Sequence, residues 1–475
     1  ILATAWQAVE ATRGRALAVR ESTRAREEAE TAAEINEFLS GMFAAIDPEN
    51  ALGEEPTISE IVDRAAVDID RRFGSKPRTE AALRDTLGRT LRGIGRLEDA
   101  HAQYVSVLAL NERLGGSEAR GTLAARRNLA GILTDRGMYP EAEELMRSVI
   151  ETGARVYGAD DPENLIAGSE LGRVMHESGN MPEAEVLYRS ALAACVPLLG
   201  ETRREVMTMY ANLGVVLKDR GKLDEAVAML DKAATLRMRV LGPDHPDTLS
   251  AFNGLGAAHQ RAGRLGEALH IFEEGLAARR RVFGAKHPST MTAAMNLGQA
   301  YVVADEHAKA EPLLREAYAV WKDTLGESHT KMLILMNALG YVAEDTGRAA
   351  EAETWYRKVV DLRRSAAGGN DPETWAAMNN LAMFRQKQGN VTAAVEQFDE
   401  LIVLTRTRLP DDHYLSAIFR NNYGDCLREA GQTERARLEL TESLEVLEKT
   451  LGPAHDRTAK ARERLGRLDE TRQAR

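Results

Sequence analysis

The amino-acid sequence predicts an all-α solenoid, a stack of helix pairs, on three observations. A leucine recurs every 42 residues as Leu87, Leu129, Leu171, Leu213, Leu255, Leu297, Leu339, Leu381 and Leu465, with Tyr423 in the one remaining slot. Eight residues after the anchor stands Gly95, Gly137, Gly179, Gly221, Gly263, Gly347, Gly389 or Gly431, with Asp305 the single exception. Thirteen residues after it stands an alanine in every case, from Ala100 through Ala268 to Ala436. A fixed period of about 20 to 50 residues with glycines in phase marks an array whose units bury their apolar faces only by stacking.

Residues 1–46 read as a connector helix. The chain starts with Ile rather than Met, and the apolar stretch from Ile1 to Trp6 is far too short to span a bilayer, so a cut fragment is expected. Five Arg and four Glu lie between Arg13 and Glu30, the pattern of a solvated helix. An apolar face returns at Ile35, Phe38, Leu39, Met42, Phe43 and Ile46, before Asp47-Pro48 caps a new turn. Residues 47–76 form a capping region: a loop with Gly53, then an amphipathic helix through Ile58, Ile61, Val62, Ala65, Ile69 and Phe73 that covers the first repeat.

Nine units of 42 residues fill residues 77–452, each two helices. In one of them Leu249, Phe252, Leu255, Gly256 and His259 share a face, and Gly263 ends the helix in a left-handed cap that glycine adopts without strain. The second helix follows with Ala268, Ile271, Phe272 and Leu276 at three- and four-residue spacing, and Gly256 and Ala268 mark the close approach of the two backbones. The joints read His-Pro or Asp-Pro at Asp161, His245, His287 and Asp371, while His329, His413 and His455 keep the His alone. Pro at a first helical position loses nothing, because its missing donor would be unpaired there. Residues 453–475 are a polar closing helix.

Bulk composition agrees with packed helices: 44% hydrophobic residues but only 5% aromatic, and 28% charged. A net charge of −11, from 62 basic and 73 acidic side chains, argues against nucleic acid as partner. Cys195 and Cys426 lie more than five periods apart, which makes a disulfide between them improbable.

The recurring His245, His287, His329, His413 and His455 sit one whole repeat apart, whereas a zinc ion gathers its ligands about 2 Å from one centre. They read as helix caps. Glu143-Glu144 and Asp411-Asp412 have no partner nucleophile and read as solvated surface. No Gly-rich nucleotide loop, nucleophile elbow or Cys/His cluster is present, so no catalytic, cofactor-binding or metal residues, no cofactor and no small-molecule substrate are expected.

With Asn212-Leu213-Gly214, Asn296-Leu297-Gly298, the turn glycines and the His-Pro joints, residues 77–466 resemble tetratricopeptide repeats of the long kind found in kinesin light chains and many bacterial proteins. The resemblance implies a right-handed superhelix that binds a protein or peptide in its groove. It places the asparagines at and just before the slot preceding the anchor on the groove wall, where a carboxamide can both donate to and accept from an extended backbone. The expected groove residues are Asn212, Asn296, Gln299, Asn337, Tyr341, Asn379, Asn380, Asn421, Asn422 and Asp425. Glu170, Arg173, Lys218 and Asp219 give the earlier repeats a mixed-charge counterpart. Bracing of neighbouring repeats is the other reading of the same asparagines.

The stretch AETAAEINEFLSGMFAAIDPENALGEEPTISEIVDRAAVDI resembles the segment after the membrane helix of bacterial serine/threonine protein kinases that end in such repeats. This implies a regulatory or sensor region, with catalytic domain and membrane helix upstream of Ile1 and the array on the extracytoplasmic side. No kinase motif lies in the chain itself. A stand-alone cytoplasmic adaptor and a self-associating scaffold are the alternatives.

Overall fold

The computed structural model describes residues 29–38, 40–42, 57–367, 369–410, 413–453 and 455–473, with positions 22 and 26. The Asp47-Pro48 cap, the loop at Gly53, the segment Ile1 to Trp6 and Asp411-Asp412 lie outside these residues. The chain divides into two compact units, Ile1–Val240 and Leu241–Arg475. Every element among the described residues is helical or a turn between helices.

In the first unit, residues 29–38 are helical and dock through Phe38, whose ring meets that of Phe73 edge-on at 5.7 Å. Helix α1 (Ile58–Phe73) opens with Thr57 and Glu60 capping each other's backbone amides, and it buries Val62, Ala65, Ile69 and Phe73. Four helix pairs follow: α2 and α3 (Pro77–Gly93, Leu97–Gly115), α4 and α5 (Arg120–Asp135, Tyr139–Tyr157), α6 and α7 (Pro162–Glu177, Met181–Leu199), α8 and α9 (Arg204–Asp219, Leu223–Leu241).

The second unit holds α10 and α11 (Pro246–Arg261, Leu265–Phe283), α12 and α13 (Pro288–Val303, His307–Thr324), α14 and α15 (Thr330–Asp345, Ala349–Ala367). It continues with α16 and α17 (Pro372–Lys387, Val391–Arg406), α18 and α19 (Tyr414–Glu429, Thr433–Leu451) and the closing α20 (Asp456–Gln473). Within each unit the first helices of neighbouring pairs touch, as α4 does α6 and α16 does α18. Each unit is thus an α-solenoid with its first helices in one row.

The repeat signals have physical counterparts. Gly95, Gly137, Gly263 and their equivalents have φ between 73° and 89°, the left-handed region. Asp305, the exception to the glycine rule, takes the same conformation at φ 61°, the one non-glycine to do so among the described residues. The small residue after the anchor receives a large side chain 16 residues on: a Cβ on Gly172 would meet the Tyr188 ring at 3.2 Å, and one on Gly256 the Phe272 ring at 2.7 Å. The alanines of the second helices, Ala268 among them, are fully buried.

The joint histidines are caps, as the spacing predicts. His245, His287 and His329 each accept, at Nδ1, the amide of the residue two further on at 3.1 Å, and His413 and His455 do so at 3.2 Å. Cys195 and Cys426 are free and buried.

Candidate binding groove

In the second unit the row of first helices frames a groove of about 990 Å³. Gln260 of α10, Gln299 and Val303 of α12, Asn337 and Tyr341 of α14, Asn380, Met383 and Lys387 of α16, Asp425 of α18 and Arg464 of α20 all line it. Because the anchor recurs at one interval, its neighbours one, two, five or six residues away recur on the same wall, and helix after helix presents an equivalent position. Val303, Ile334, Tyr341 and Met383 are 60, 38, 46 and 38% exposed, so apolar surface alternates with carboxamides along the groove.

Five of the ten expected residues, Gln299, Asn337, Tyr341, Asn380 and Asp425, line this groove. Burial, then the nearby Asp345 carboxylate, push the Tyr341 phenol above its ordinary value, which keeps its hydroxyl a donor. Asp425 is held by Arg428 at 3.0 Å and Arg464 at 3.3 Å. Asn212 belongs to the first unit. There it lines a smaller cavity of about 360 Å³ with Glu170, Arg173 and Asn128, and it hydrogen-bonds the Tyr188 hydroxyl.

The remaining four, Asn296, Asn379, Asn421 and Asn422, are spent on neighbouring repeats. Asn422 Nδ2 donates to Asn379 Oδ1 at 2.9 Å, and Asn296 Nδ2 to Asn253 Oδ1 at 2.6 Å, each across 43 residues. Asn128 Nδ2 does the same to Asp85 at 3.0 Å, and Arg127 Nε meets Glu170 at 3.4 Å. In α20 the slot holds Arg464, which donates to the Asn421 side chain and, at 3.0 Å, to Asn422 Oδ1. These contacts are rungs: the residue before one anchor joins the residue two before the previous anchor.

One rung is open. Among the described residues no hydrogen bond joins Asn380 to Asn337, both line the groove, and the Asn337 carboxamide oxygen, though buried, has no hydrogen-bond partner. Asn380 and Asn422 share a slot and each has an asparagine 43 residues earlier, Asn337 and Asn379, so the sequence does not separate the open rung from the closed one; the geometry does. Arg464 escaped notice as part of a polar closing helix, although its register marked it.

In the first unit, the Glu170–Arg127 rung is joined by Arg173, which meets Asp135 at 3.0 Å and the Gly131 carbonyl at 3.3 Å. His176 stands 3.1 Å from Asp219, and Lys218 3.5 Å from it. The charges of this mixed cluster are thus largely matched among themselves.

Helix pairs of constant length, left-handed turns in phase and a row of first helices framing a groove define a helical-repeat protein. A model of the tetratricopeptide repeat family matches residues 121–195, 205–281, 259–323, 289–365 and 373–449, and the chain belongs to that family. No curated protein matches the chain. Among solved structures, it resembles the nearly identical repeats of a Podosopora anserina protein assigned to the kinesin light chains, at 23% identity over 43% of this chain and 96% of that one, TM-score 0.39. It also resembles the apo form of RapI at 13% identity, covering 78% of this chain and 98% of that one, TM-score 0.57. A STAND signal-transduction ATPase with a tetratricopeptide repeat sensor, from Pyrococcus horikoshii, shares 14% identity over 78% of this chain and 53% of that one, TM-score 0.51. These likenesses concern the fold.

Proposed function

We propose that the chain is a non-catalytic scaffold that holds an extended segment of a partner protein in the groove of its second unit. The observation that carries this reading is the open rung: Asn337 and Asn380 face the groove with hydrogen-bonding capacity that Asn379 and Asn422, and Asn253 and Asn296, spend on each other. An extended peptide presents alternating N–H and C=O groups, which a pair of carboxamides matches in both senses, while Val303, Ile334 and Met383 offer apolar contact to its side chains. Tetratricopeptide repeats generally bind proteins or peptides.

The test is a peptide display selection against the whole chain, followed by anisotropy measurements on the enriched sequences. Removing both carboxamides in Asn337→Ala/Asn380→Ala is expected to weaken binding by ~1–3 kcal/mol, about 5- to 150-fold, with helix content unchanged. Enriched peptides that bind the double variant as tightly as the native chain would move the site elsewhere.

The finer reading is that this scaffold is the regulatory region of a membrane-anchored bacterial serine/threonine kinase. Its support is the resemblance of the segment before Ile69, together with the docking of residues 29–38 on α1 through Phe38 and of Glu34 on Thr79 at 2.7 Å. Such a dock would tie whatever precedes the array to its first repeat. Extending the reading frame upstream tests this: kinase motifs and about 20 apolar residues are expected there, and an open frame without them refutes it. No helix among the described residues is long and apolar enough to cross a membrane.

A further inference from the structure

Asp305, the residue that breaks the glycine rule, does not stand alone. His307 opens α13 two residues on, and Asp345 closes α14 in the next repeat; one ligand atom from each of the three lies within 4.8 Å of the others. His307 Nε2 is 3.0 Å from Asp305 Oδ1 and 3.4 Å from Asp345 Oδ2. Asp345 turns its other oxygen, Oδ1, to Lys387 at 3.3 Å, and Lys387 in turn meets Glu344 at 2.8 Å. The Tyr341 ring closes the far side, edge-on to the imidazole at 6.4 Å.

We propose that Asp305, His307 and Asp345 bind a first-row divalent cation, Zn²⁺, Co²⁺ or Mn²⁺, that clips two neighbouring repeats together beside the groove. The two separations from His307 Nε2 fit. Ligand atoms about 2.0–2.2 Å from a common centre stand roughly 3.3 Å apart in a tetrahedron and roughly 3.0 Å apart when cis in an octahedron. The state of the imidazole is an independent indication. Both ring nitrogens of His307 are buried and neither makes a hydrogen bond, even though two carboxylate oxygens stand this near Nε2. The oxygens therefore lie off the direction in which the nitrogen donates or accepts. That is the arrangement of two ligands beside a third on one metal, whose bond to the nitrogen takes the lone-pair direction. One imidazole with two carboxylates is a hard-to-borderline donor set suited to these cations rather than to Cu⁺, which seeks sulfur.

The left-handed turn supports the same assignment. Every other repeat fills this slot with glycine, which adopts φ 61° freely, whereas a carboxylate here is gained at a conformational cost. Asp345 and Tyr341 share α14 with Asn337, and Tyr341, Asn337 and Lys387 line the groove. A cation that draws Asp345 toward His307 thereby sets the wall on which the peptide lies.

The experiment uses the full chain, free of added histidines and stripped with EDTA, titrated with Co²⁺ and followed by its d–d absorption. One ion per chain is expected, with a visible band of nitrogen and oxygen ligation, displaced by Zn²⁺. Asp305→Gly restores the residue that the other repeats carry and keeps the turn, so it folds while lacking one ligand; His307→Gln removes a second. Each is expected to weaken binding at least tenfold and to abolish the rise in melting temperature that Zn²⁺ gives the native chain. A native chain that shows no band, or binding and melting shifts unchanged in Asp305→Gly and His307→Gln, overturns the assignment.

Discussion

Gly214→Ala and Gly466→Ala make the same substitution at the same repeat position, one residue past an anchor in the middle of a first helix, and they should differ in sign. At Gly214 the new methyl would lie 2.5 Å from Leu230 Cγ and 3.2 Å from the Ala226 carbonyl oxygen. Cγ is the branch point of its side chain and the carbonyl is backbone, so relief requires moving α8 and α9 apart. Overpacking of this kind costs ~1–3 kcal/mol. The gain in helix propensity from Gly to Ala, about 1 kcal/mol, offsets part of it, leaving a net loss of up to ~2 kcal/mol. At Gly466 a Cβ meets nothing within 4 Å, so only the gain of ~0.5–1 kcal/mol remains. Urea unfolding followed by circular dichroism at 222 nm measures both. Equal shifts of the two midpoints, in either direction, would refute the packing role assigned to the small residue after the anchor.

Asn422→Ala should lower stability by ~1–3 kcal/mol by orphaning buried Asn379, whereas Asn380→Ala should leave the melting temperature within ~0.5 kcal/mol of native and affect capture of a groove peptide alone. Burial pushes the Cys426 thiol up to about 12, so iodoacetamide at pH 8 should leave Cys426 unlabelled until the chain is unfolded; rapid labelling of the native chain would contradict that burial. Burial raises the Glu185 carboxyl, but hydrogen bonds from Lys222 and Arg189 outweigh it and hold the group below its ordinary value of 4.5. Its contribution is therefore present above that value and lost as pH falls through the depressed one, and Glu185→Gln should destabilise the chain at pH 7 and by less at pH 3. An equal deficit at both pH values would show that the charge of Glu185 is not what stabilises.

The backbone plan was legible because each of its requirements admits few residues. A left-handed turn selects glycine, a close helix crossing selects glycine or alanine, and a helix start selects His, Asp or Pro; each recurs in phase. The groove was half legible. Slot and wall follow from the period, and so do Asn337, Asn380 and Gln299, but whether a carboxamide is already engaged does not: Asn380 and Asn422 each have an asparagine 43 positions earlier, and only Asn422 bonds to it. What the offset does show is which residues are opposed: Asn422 over Asn379, Asn296 over Asn253 and Glu170 over Arg127 meet at one spacing. The Asp305–His307–Asp345 cluster was overlooked for a different reason. His307 has no counterpart one repeat away, and the mark of the cluster in the sequence is the single break in the glycine rule at Asp305.

The rungs also bear on how such a chain lengthens or shortens over generations. Backbones of all repeats are interchangeable, so duplication or loss of 42 residues preserves every turn and crossing. Side chains at the rungs are not. Loss of the repeat that carries Arg127 would bring Glu170 against Asp85, carboxylate facing carboxylate, where the intact order sets Asn128 over Asp85 and Arg127 beside Glu170. A junction that carries a rung thus recognises its rightful neighbour, and reshuffling the repeats that hold Asp85, Arg127 and Glu170 would leave mismatched joints even though every helix formed.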